Sequence, residues 1–78
     1  MDEKFINLLN DINPEIISHS DSNLVDDGII DSLNIMQIVS GFEKNYGIDF
    51  DPDDMIPENF SSANAIWQLL QKYLNSKH

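Results

Sequence analysis

Residues 26–46 read DDGIIDSLNIMQIVSGFEKNY, an acidic turn followed by a stretch with helical periodicity. The apolar side chains that recur at positions i, i+3, i+4, i+7 and i+11 are Ile35, Ile38, Val39, Phe42 and Tyr46. Because this spacing places them on one face, it predicts a helix over residues 32–46 with a buried apolar stripe. Either Asp31 or Ser32 can cap the start of this helix, and Gly47 suits its end.

Amphipathic segments precede and follow this central helix in the sequence. Residues 2–12 predict a first helix whose apolar face is Phe5, Leu8, Leu9 and Ile12, and Pro14 marks its end. A last helix is expected from Ser61 or Ser62 to about Asn75, with an apolar stripe of Ala63, Ile66, Trp67, Leu70 and Tyr73 or Leu74. We expect Trp67 to lie in the core or at its edge. Gly41 weakens the central helix, so it predicts close packing there by the first or the last helix.

Two longer connections separate the helices. Residues 18–31 predict a long ordered loop, pinned by Leu24, Val25, Ile29 and Ile30; Ile16 and Ile17 before it either add a short helical turn or simply pack. Residues 48–56 predict a second loop, since Pro52 argues against a strand, and residues 57–60 suit one helical turn that begins with Pro57. The pattern predicts an all-α fold: a small four-helix bundle of three main helices plus one short helix, with a long first loop, in a single domain over residues 1–78.

The chain is strongly acidic. Its 14 Asp and Glu residues face four Lys and Arg residues, which gives a formal net charge of −10. Nucleic-acid binding requires cationic groups and is therefore excluded as an expected function; an anionic membrane is disfavoured for the same reason. A basic protein surface is the natural complement, although the charge could simply keep a small monomer in solution.

The absence of cysteine excludes disulfides and thiolate metal sites. No apolar run is long enough to span a membrane and the start lacks a signal-peptide pattern, so we expect a cytoplasmic protein.

Ser32 is the candidate functional residue. It follows an acid at the first turn of the central helix, and next to it Leu33, Met36, Gln37 and Ser40 lie off the buried stripe. Exposed apolar residues beside a serine suggest a docking surface. Capping alone would explain a lone serine at this position.

Two other chemistries are disfavoured. A serine hydrolase needs a base within reach and an orienting group, yet the chain has only His19 and His78 and lacks the Gly-x-Ser-x-Gly motif. These two histidines are also too few and too scattered for a metal site. The alternation of Asp49, Asp51 and Asp53 is similar to the start of an EF-hand loop, but Asp54 occupies the sixth position and Phe60 the twelfth, where an EF-hand requires Gly and Glu.

Three stretches together carry a resemblance to a known family. They are Asp31-Ser32-Leu33 after Asp-Asp-Gly-Ile-Ile, the segment EKNYGIDF at residues 43–50, and the segment PENFSS at residues 57–62. The chain resembles the acyl and peptidyl carrier proteins over nearly its whole length. The resemblance implies that a phosphopantetheinyl transferase moves 4′-phosphopantetheine from coenzyme A onto Ser32, and that Asp31 helps to place the transferase's magnesium. The arm's thiol would hold an acyl or aminoacyl cargo as a thioester, which is consistent with the lack of cysteine.

The resemblance also implies a role and a partner face. Such a protein is not an enzyme but a carrier, which presents its cargo to an adenylating ligase, an acyltransferase or a ketosynthase. In the family the central helix is the recognition surface, which here comprises Leu33, Met36, Gln37, Ser40 and Glu43, together with Ile56. In fatty-acid carriers this helix is typically rich in acids, whereas Glu43 is the only acid of residues 32–46 here. This departure favours a specialised carrier, of the D-alanine, peptidyl or dedicated acyl type, over a general fatty-acid carrier. An acidic helical adaptor without a prosthetic group is the alternative.

Overall fold

The computed structural model describes residues 1–19 and 23–76, and every regular element within them is helical. Three main helices are α1 (Glu3–Ile12), α3 (Ser32–Tyr46) and α4 (Ala63–Ser76), with the short α2 (Glu15–Ser18) after α1. Two 3₁₀ helices, Pro52–Asp54 and Pro57–Phe60, connect α3 to α4. The all-α prediction, with a short helix over residues 57–60, is therefore confirmed. Residues 20–22 of the predicted first loop, and His78, lie outside the described residues.

The ends of the main helices follow the local signals in the sequence. The Asp2 side chain accepts a hydrogen bond from the Phe5 N–H at 2.8 Å and so caps α1. The Ser62 hydroxyl accepts from the Ala65 N–H at 3.0 Å and caps α4, which decides between the two serines that the sequence allowed. Gly47 ends α3 in a left-handed conformation with φ of 65°, and its N–H donates to the Glu43 carbonyl.

Aromatic side chains form the centre of the core. Phe5, Phe42 and Phe60 are completely buried. The rings of Phe5 and Phe42 lie 6.0 Å apart, and the Trp67 ring meets Phe5 edge-on at 4.9 Å. Trp67 is half-buried, as expected for a residue at the edge of the core. These contacts join α1, α3 and α4 through their predicted apolar stripes, since large aromatic surfaces contribute most of the burial in a small core.

Gly41 lies where α1 packs tightly against α3. A Cβ atom at Gly41 would lie 2.5 Å from Leu8 Cδ1 and 2.9 Å from Leu8 Cδ2. Both distances are shorter than carbon atoms tolerate, so the glycine lets the Leu8 side chain lie against the backbone of α3. The predicted close packing is therefore confirmed, and α1 is the helix that provides it.

Backbone hydrogen bonds fix the segment that leads into α3. The Leu24 N–H donates to the Ser61 carbonyl at 2.7 Å, and the N–H groups of Ile29 and Ile30 both donate to the Leu24 carbonyl. The Asn13 side chain adds a hydrogen bond to the Ile29 carbonyl at 2.8 Å. Leu24 and Ile30 are buried, so the part of the first loop that the structure describes is ordered and apolar side chains anchor it, as predicted. The segment that leads into α3 is thereby attached to the end of α1, through Asn13, and to Ser61, which precedes α4.

The connection between α3 and α4 differs from the sequence prediction. Residues 52–54, expected within a loop, form a 3₁₀ turn that the Asp51 side chain caps through the Asp53 N–H at 2.9 Å. The Tyr73 hydroxyl accepts a hydrogen bond from the Asp51 N–H at 3.0 Å and donates to the Asp54 carboxylate. Because Tyr73 lies on α4, far along the chain, local sequence signals could not reveal this attachment.

Candidate functional site

Asp31, and not Ser32, caps α3. The Asp31 carboxylate accepts a hydrogen bond from the Asn34 N–H at 3.0 Å, and the Asn34 side chain accepts from the Asp31 N–H at 3.4 Å. This reciprocal arrangement is a capping box. Ser32 is therefore the first helical residue, it is exposed, and capping does not use its hydroxyl. The alternative that the sequence left open is thus decided in favour of Asp31.

The hydroxyl of Ser32 differs in its surroundings from most other serines that the structure describes. Ser18 and Ser61 donate to carbonyls of their own turns, and Ser62 caps α4. Within the described residues, Ser32 and Ser40 are exposed and have no side-chain hydrogen bond to protein groups. Ser40 lies in the middle of α3, whereas Ser32 lies at its N-terminus.

The N-terminus of α3 suits a phosphate ester. The first turn of a helix has unpaired backbone N–H groups and the positive end of the helix dipole, and both stabilise a phosphate. The first turn of α3 contains no acid that would oppose this charge, although Asp31 precedes it. An exposed hydroxyl at this position fits the covalent attachment of a phosphodiester.

Exposed apolar side chains lie next to Ser32. Leu33 is 62% exposed and Met36 57% exposed, as their positions off the buried stripe predict. Gln37 and Ser40 continue the same exposed face, and the Gln37 side chain accepts a hydrogen bond from Asn34 at 3.0 Å. Ile56, between the two 3₁₀ helices, is 40% exposed. Five of the six predicted partner residues are therefore accessible and have apolar or uncharged polar side chains.

Glu43, the sixth predicted partner residue, has an internal contact that the sequence did not reveal. Its Oε2 accepts a hydrogen bond from the Phe50 N–H at 3.2 Å. Phe50 is buried and its ring stacks on Tyr73 at 4.7 Å. Glu43 therefore fixes the chain as it leaves α3, although its side chain is still exposed. A separation of seven residues across a glycine turn gives no periodic signal that could have predicted this contact.

Asp54, Tyr73 and Lys72 form an electrostatic cluster, which holds the first 3₁₀ helix against α4. The hydrogen bond from Tyr73 lowers the pKa of the Asp54 carboxyl below its ordinary 3.8, and the Lys72 ammonium, 3.5 Å away, acts in the same direction. Burial, followed by the hydrogen bond to Asp54, raises the pKa of the Tyr73 hydroxyl. These groups stabilise each other, and the cluster sets the position of the segment that leads to Ile56.

Two further findings bear on the kind of site. Over residues 1–19 and 23–76 no set of three or more His, Cys, Asp or Glu side chains is grouped as metal ligands. In the same residues no helix is both long enough and apolar enough to cross a membrane.

The family comparison agrees with the geometry at Ser32. The family described as the phosphopantetheine attachment site matches residues 4–70 of the 78-residue chain. The chain belongs to this family, whose members carry 4′-phosphopantetheine covalently on a serine. The cofactor is therefore 4′-phosphopantetheine, and the resemblance to carrier proteins is confirmed. Comparison with curated proteins and with solved structures gave no match.

Proposed function

We propose that Ser32 is the phosphopantetheine attachment site and that the protein is a carrier for an acyl or aminoacyl group. The observation that supports this most strongly is the exposed Ser32 hydroxyl at the N-terminus of α3, left unused because Asp31 provides the cap. Within the described residues, Ser40 also has no side-chain hydrogen bond to protein groups, but it lies in the middle of α3 and lacks the first-turn N–H groups that would stabilise a phosphate.

Attachment is a phosphoryl-type substitution. The Ser32 Oγ attacks the β-phosphorus of coenzyme A, the bond to the adenosine bisphosphate breaks, and the hydroxyl proton passes to a base of the transferase. Asp31 adjoins the serine, and we propose that its carboxylate helps to place the transferase's magnesium, a hard cation that prefers oxygen ligands. Asp31 would then have two roles, in the fold of the carrier and in its modification.

Once attached, the arm supplies a thiol that holds the cargo as a thioester, which this chain could not provide because it lacks cysteine. The residues of the chain present the arm and bind the enzymes that load and unload it: an adenylating ligase, or an acyltransferase and a ketosynthase. In this role the protein is a cosubstrate and not a catalyst. Tethering keeps the cargo at a high effective concentration near each partner enzyme. A single domain, a monomeric state and a cytoplasmic location remain predictions.

The charge of α3 favours a specialised carrier. The helix contains one acid, Glu43, and one base, Lys44, whereas the family resemblance implies a helix rich in acids for a general fatty-acid carrier. We propose an amino-acid cargo, of the D-alanine or peptidyl type, or a dedicated acyl cargo. Candidate pathways are those of specialised lipids, polyketides, nonribosomal peptides or cell-wall components.

Intact-protein mass spectrometry tests the attachment site. Incubation with coenzyme A, magnesium and a broad-range phosphopantetheinyl transferase is expected to add one phosphopantetheine to the wild-type chain. Ser32→Ala should abolish the addition. Ser18→Ala is the matched control, because Ser18 is exposed but occupied by carbonyls of its own turn, and it should be modified like the wild type.

Two results would contradict the proposal. Fragmentation of the modified chain could place the added mass on Ser40, which would move the attachment site along α3. A mass that never shifts would instead favour the acidic adaptor without a prosthetic group.

A further inference from the structure

The turn that precedes α3 has few polar links to the rest of the bundle. Residues 23–30 form hydrogen bonds mainly with one another. In the part of the chain that the structure describes, two hydrogen bonds join this turn to other elements. The Leu24 N–H donates to the Ser61 carbonyl at 2.7 Å. The Asn13 side chain donates to the Ile29 carbonyl at 2.8 Å, and this second bond holds the chain just before the serine of the proposed site.

Each polar group of Asn13 has a partner. Its backbone N–H donates to the Leu9 carbonyl of α1 at 2.8 Å, and its carbonyl accepts from the Ile16 N–H of α2 at 3.1 Å. In the side chain, Oδ1 accepts from the Glu15 N–H at 3.0 Å and Nδ2 donates to the Ile29 carbonyl. A flipped amide would oppose like groups at both contacts, so the geometry fixes this orientation. Asn13 therefore joins α1, α2 and the turn before α3.

The two side-chain contacts require an amide. An amide presents a donor and an acceptor at once, whereas a carboxylate accepts but cannot donate. Aspartate at position 13 would still accept from Glu15, but it would set a carboxylate oxygen against the Ile29 carbonyl. Alanine would lose both contacts. Because Asn13 and Ile29 are 16 residues apart, local sequence signals at the end of α1 could not reveal this link.

We propose that Asn13 is a positioning residue for the modification of Ser32. This inference rests on the proposed function, because it concerns how that serine meets the transferase. By holding the Ile29 carbonyl against the end of α1, Asn13 fixes the backbone that enters α3 and so the approach of the Ser32 Oγ to the phosphorus of coenzyme A. Substitution at phosphorus needs an in-line approach, and small misplacements of a reacting group slow the chemical step strongly. Asn13 is not part of α3, so its loss should affect this step more than binding.

Steady-state kinetics of modification test this role. The probe is a broad-range phosphopantetheinyl transferase with coenzyme A and magnesium, and the carrier is the varied substrate. Asn13→Ala is expected to lower kcat by about fivefold or more and to leave KM for the carrier within about twofold of the wild type. Asn13→Asp keeps the contact with Glu15 and loses only the bond to Ile29. It should show the same split, even where Asn13→Ala is too unstable to measure.

Asp2→Ala is the matched control at the other end of α1. Like Asn13, Asp2 makes two side-chain hydrogen bonds: it accepts from the Phe5 N–H and from the Tyr46 hydroxyl. Neither contact involves the turn before α3. Asp2→Ala should therefore lower the urea midpoint, as loss of a helix cap does, but keep kcat within about twofold of the wild type. An equal fall in kcat for Asp2→Ala and Asn13→Ala would overturn the proposal, as would a higher KM at unchanged kcat.

Amide hydrogen exchange gives a readout that does not depend on the transferase. Exchange reports local opening, so the amides of Ile29 and Ile30 should exchange faster in both Asn13 variants, by about fivefold or more, and at the wild-type rate in Asp2→Ala. Unchanged exchange in Asn13→Asp would overturn the proposal. If the wild type gains no phosphopantetheine, the proposed function fails, while the exchange rates still decide whether Asn13 holds the turn.

Discussion

At the residue scale, the cap of α3 and the proposed attachment site belong to two neighbours, Asp31 and Ser32. Asp31 satisfies the N–H of Asn34 and, through the Asn34 side chain, its own N–H. The Ser32 hydroxyl can therefore be esterified without removing a hydrogen bond that holds α3. If Ser32 were the cap, modification would weaken the helix that presents the arm. Because Asp31 provides the cap and Ser32 follows it, the start of α3 would keep its capping hydrogen bonds both before and after the proposed attachment.

Substitutions at Asp31 should separate its two proposed roles. Asp31→Ala is expected to lower the free energy of unfolding by about 1 kcal/mol, the usual cost of losing an N-cap. Asp31→Asn keeps a capping oxygen and should stay within about 0.5 kcal/mol of the wild type, yet lose the charge proposed to place magnesium. Urea denaturation measures the first effect, and the rate of modification by the transferase measures the second.

The control at this scale is the serine itself. Ser32→Ala removes no capping contact, so its stability should match that of the wild type to within about 0.5 kcal/mol. A loss as large as that of Asp31→Ala would mean that the hydroxyl also holds the helix. Unchanged modification of Asp31→Asn would contradict the magnesium role and leave the capping role intact.

At the scale of the elements, Tyr73 attaches the connection between α3 and α4 to the bundle. Its ring stacks on Phe50, and its hydroxyl contacts both the Asp51 N–H and the Asp54 carboxylate. Glu43 holds the same connection from α3 through the Phe50 N–H. The position of Ile56, on the proposed partner face, therefore depends on polar contacts from two different helices.

This attachment should depend on pH through Asp54. Because the hydrogen bond from Tyr73 and the charge of Lys72 lower the pKa of Asp54 below 3.8, the carboxylate contributes stability above the pKa of the unfolded chain. That contribution is lost as the pH falls through the lower pKa of the folded state. Tyr73→Phe removes the hydrogen bond, so its stability deficit relative to the wild type should shrink as the pH falls from neutral to below 3.8.

Denaturation in urea at a series of pH values measures this difference. Asp54→Asn is the control: it cannot titrate, so the effect of Tyr73→Phe in that background should not vary over the same pH range. The hydrogen bond between Tyr73 and the Asp51 N–H remains at all these pH values and should leave a constant part of the deficit. A deficit that grows on acidification would contradict the assignment.

The elements also show what the sequence could and could not predict. Periodicity located the stripes of α1, α3 and α4, because a helix that packs on a core must repeat its apolar residues. The cost of a glycine inside a helix predicted that another helix packs closely at Gly41. The 3₁₀ turn at residues 52–54 and the bond from Glu43 to Phe50 were missed, because each depends on a partner that only the tertiary fold brings close. At the site, the sequence predicted the position of Ser32, but the choice of cap required the capping geometry.

At the scale of the whole molecule, the acidic charge is concentrated in a small volume. The radius of gyration is 11.5 Å, which is close to the Debye length of about 10 Å in 0.1 M salt. At low ionic strength most pairs of the 14 acidic residues therefore repel one another. Unfolding lets these charges separate, so repulsion destabilises the folded state. The same field would attract a basic partner enzyme, so faster encounter would come with a cost in stability.

Added salt should therefore stabilise the protein. Raising NaCl from about 10 mM to about 0.5 M shortens the Debye length to a few ångströms and should raise Tm, by about 4–8 °C for each kcal/mol of repulsion that is screened. Differential scanning calorimetry measures the shift. Asp49→Asn, which removes one exposed charge, should raise Tm at low salt and show a smaller response to NaCl. A Tm that stays constant or falls with salt would mean that attractive pairs, such as Lys72 with Asp54, outweigh the repulsion. The acidic surface would then not destabilise the folded state.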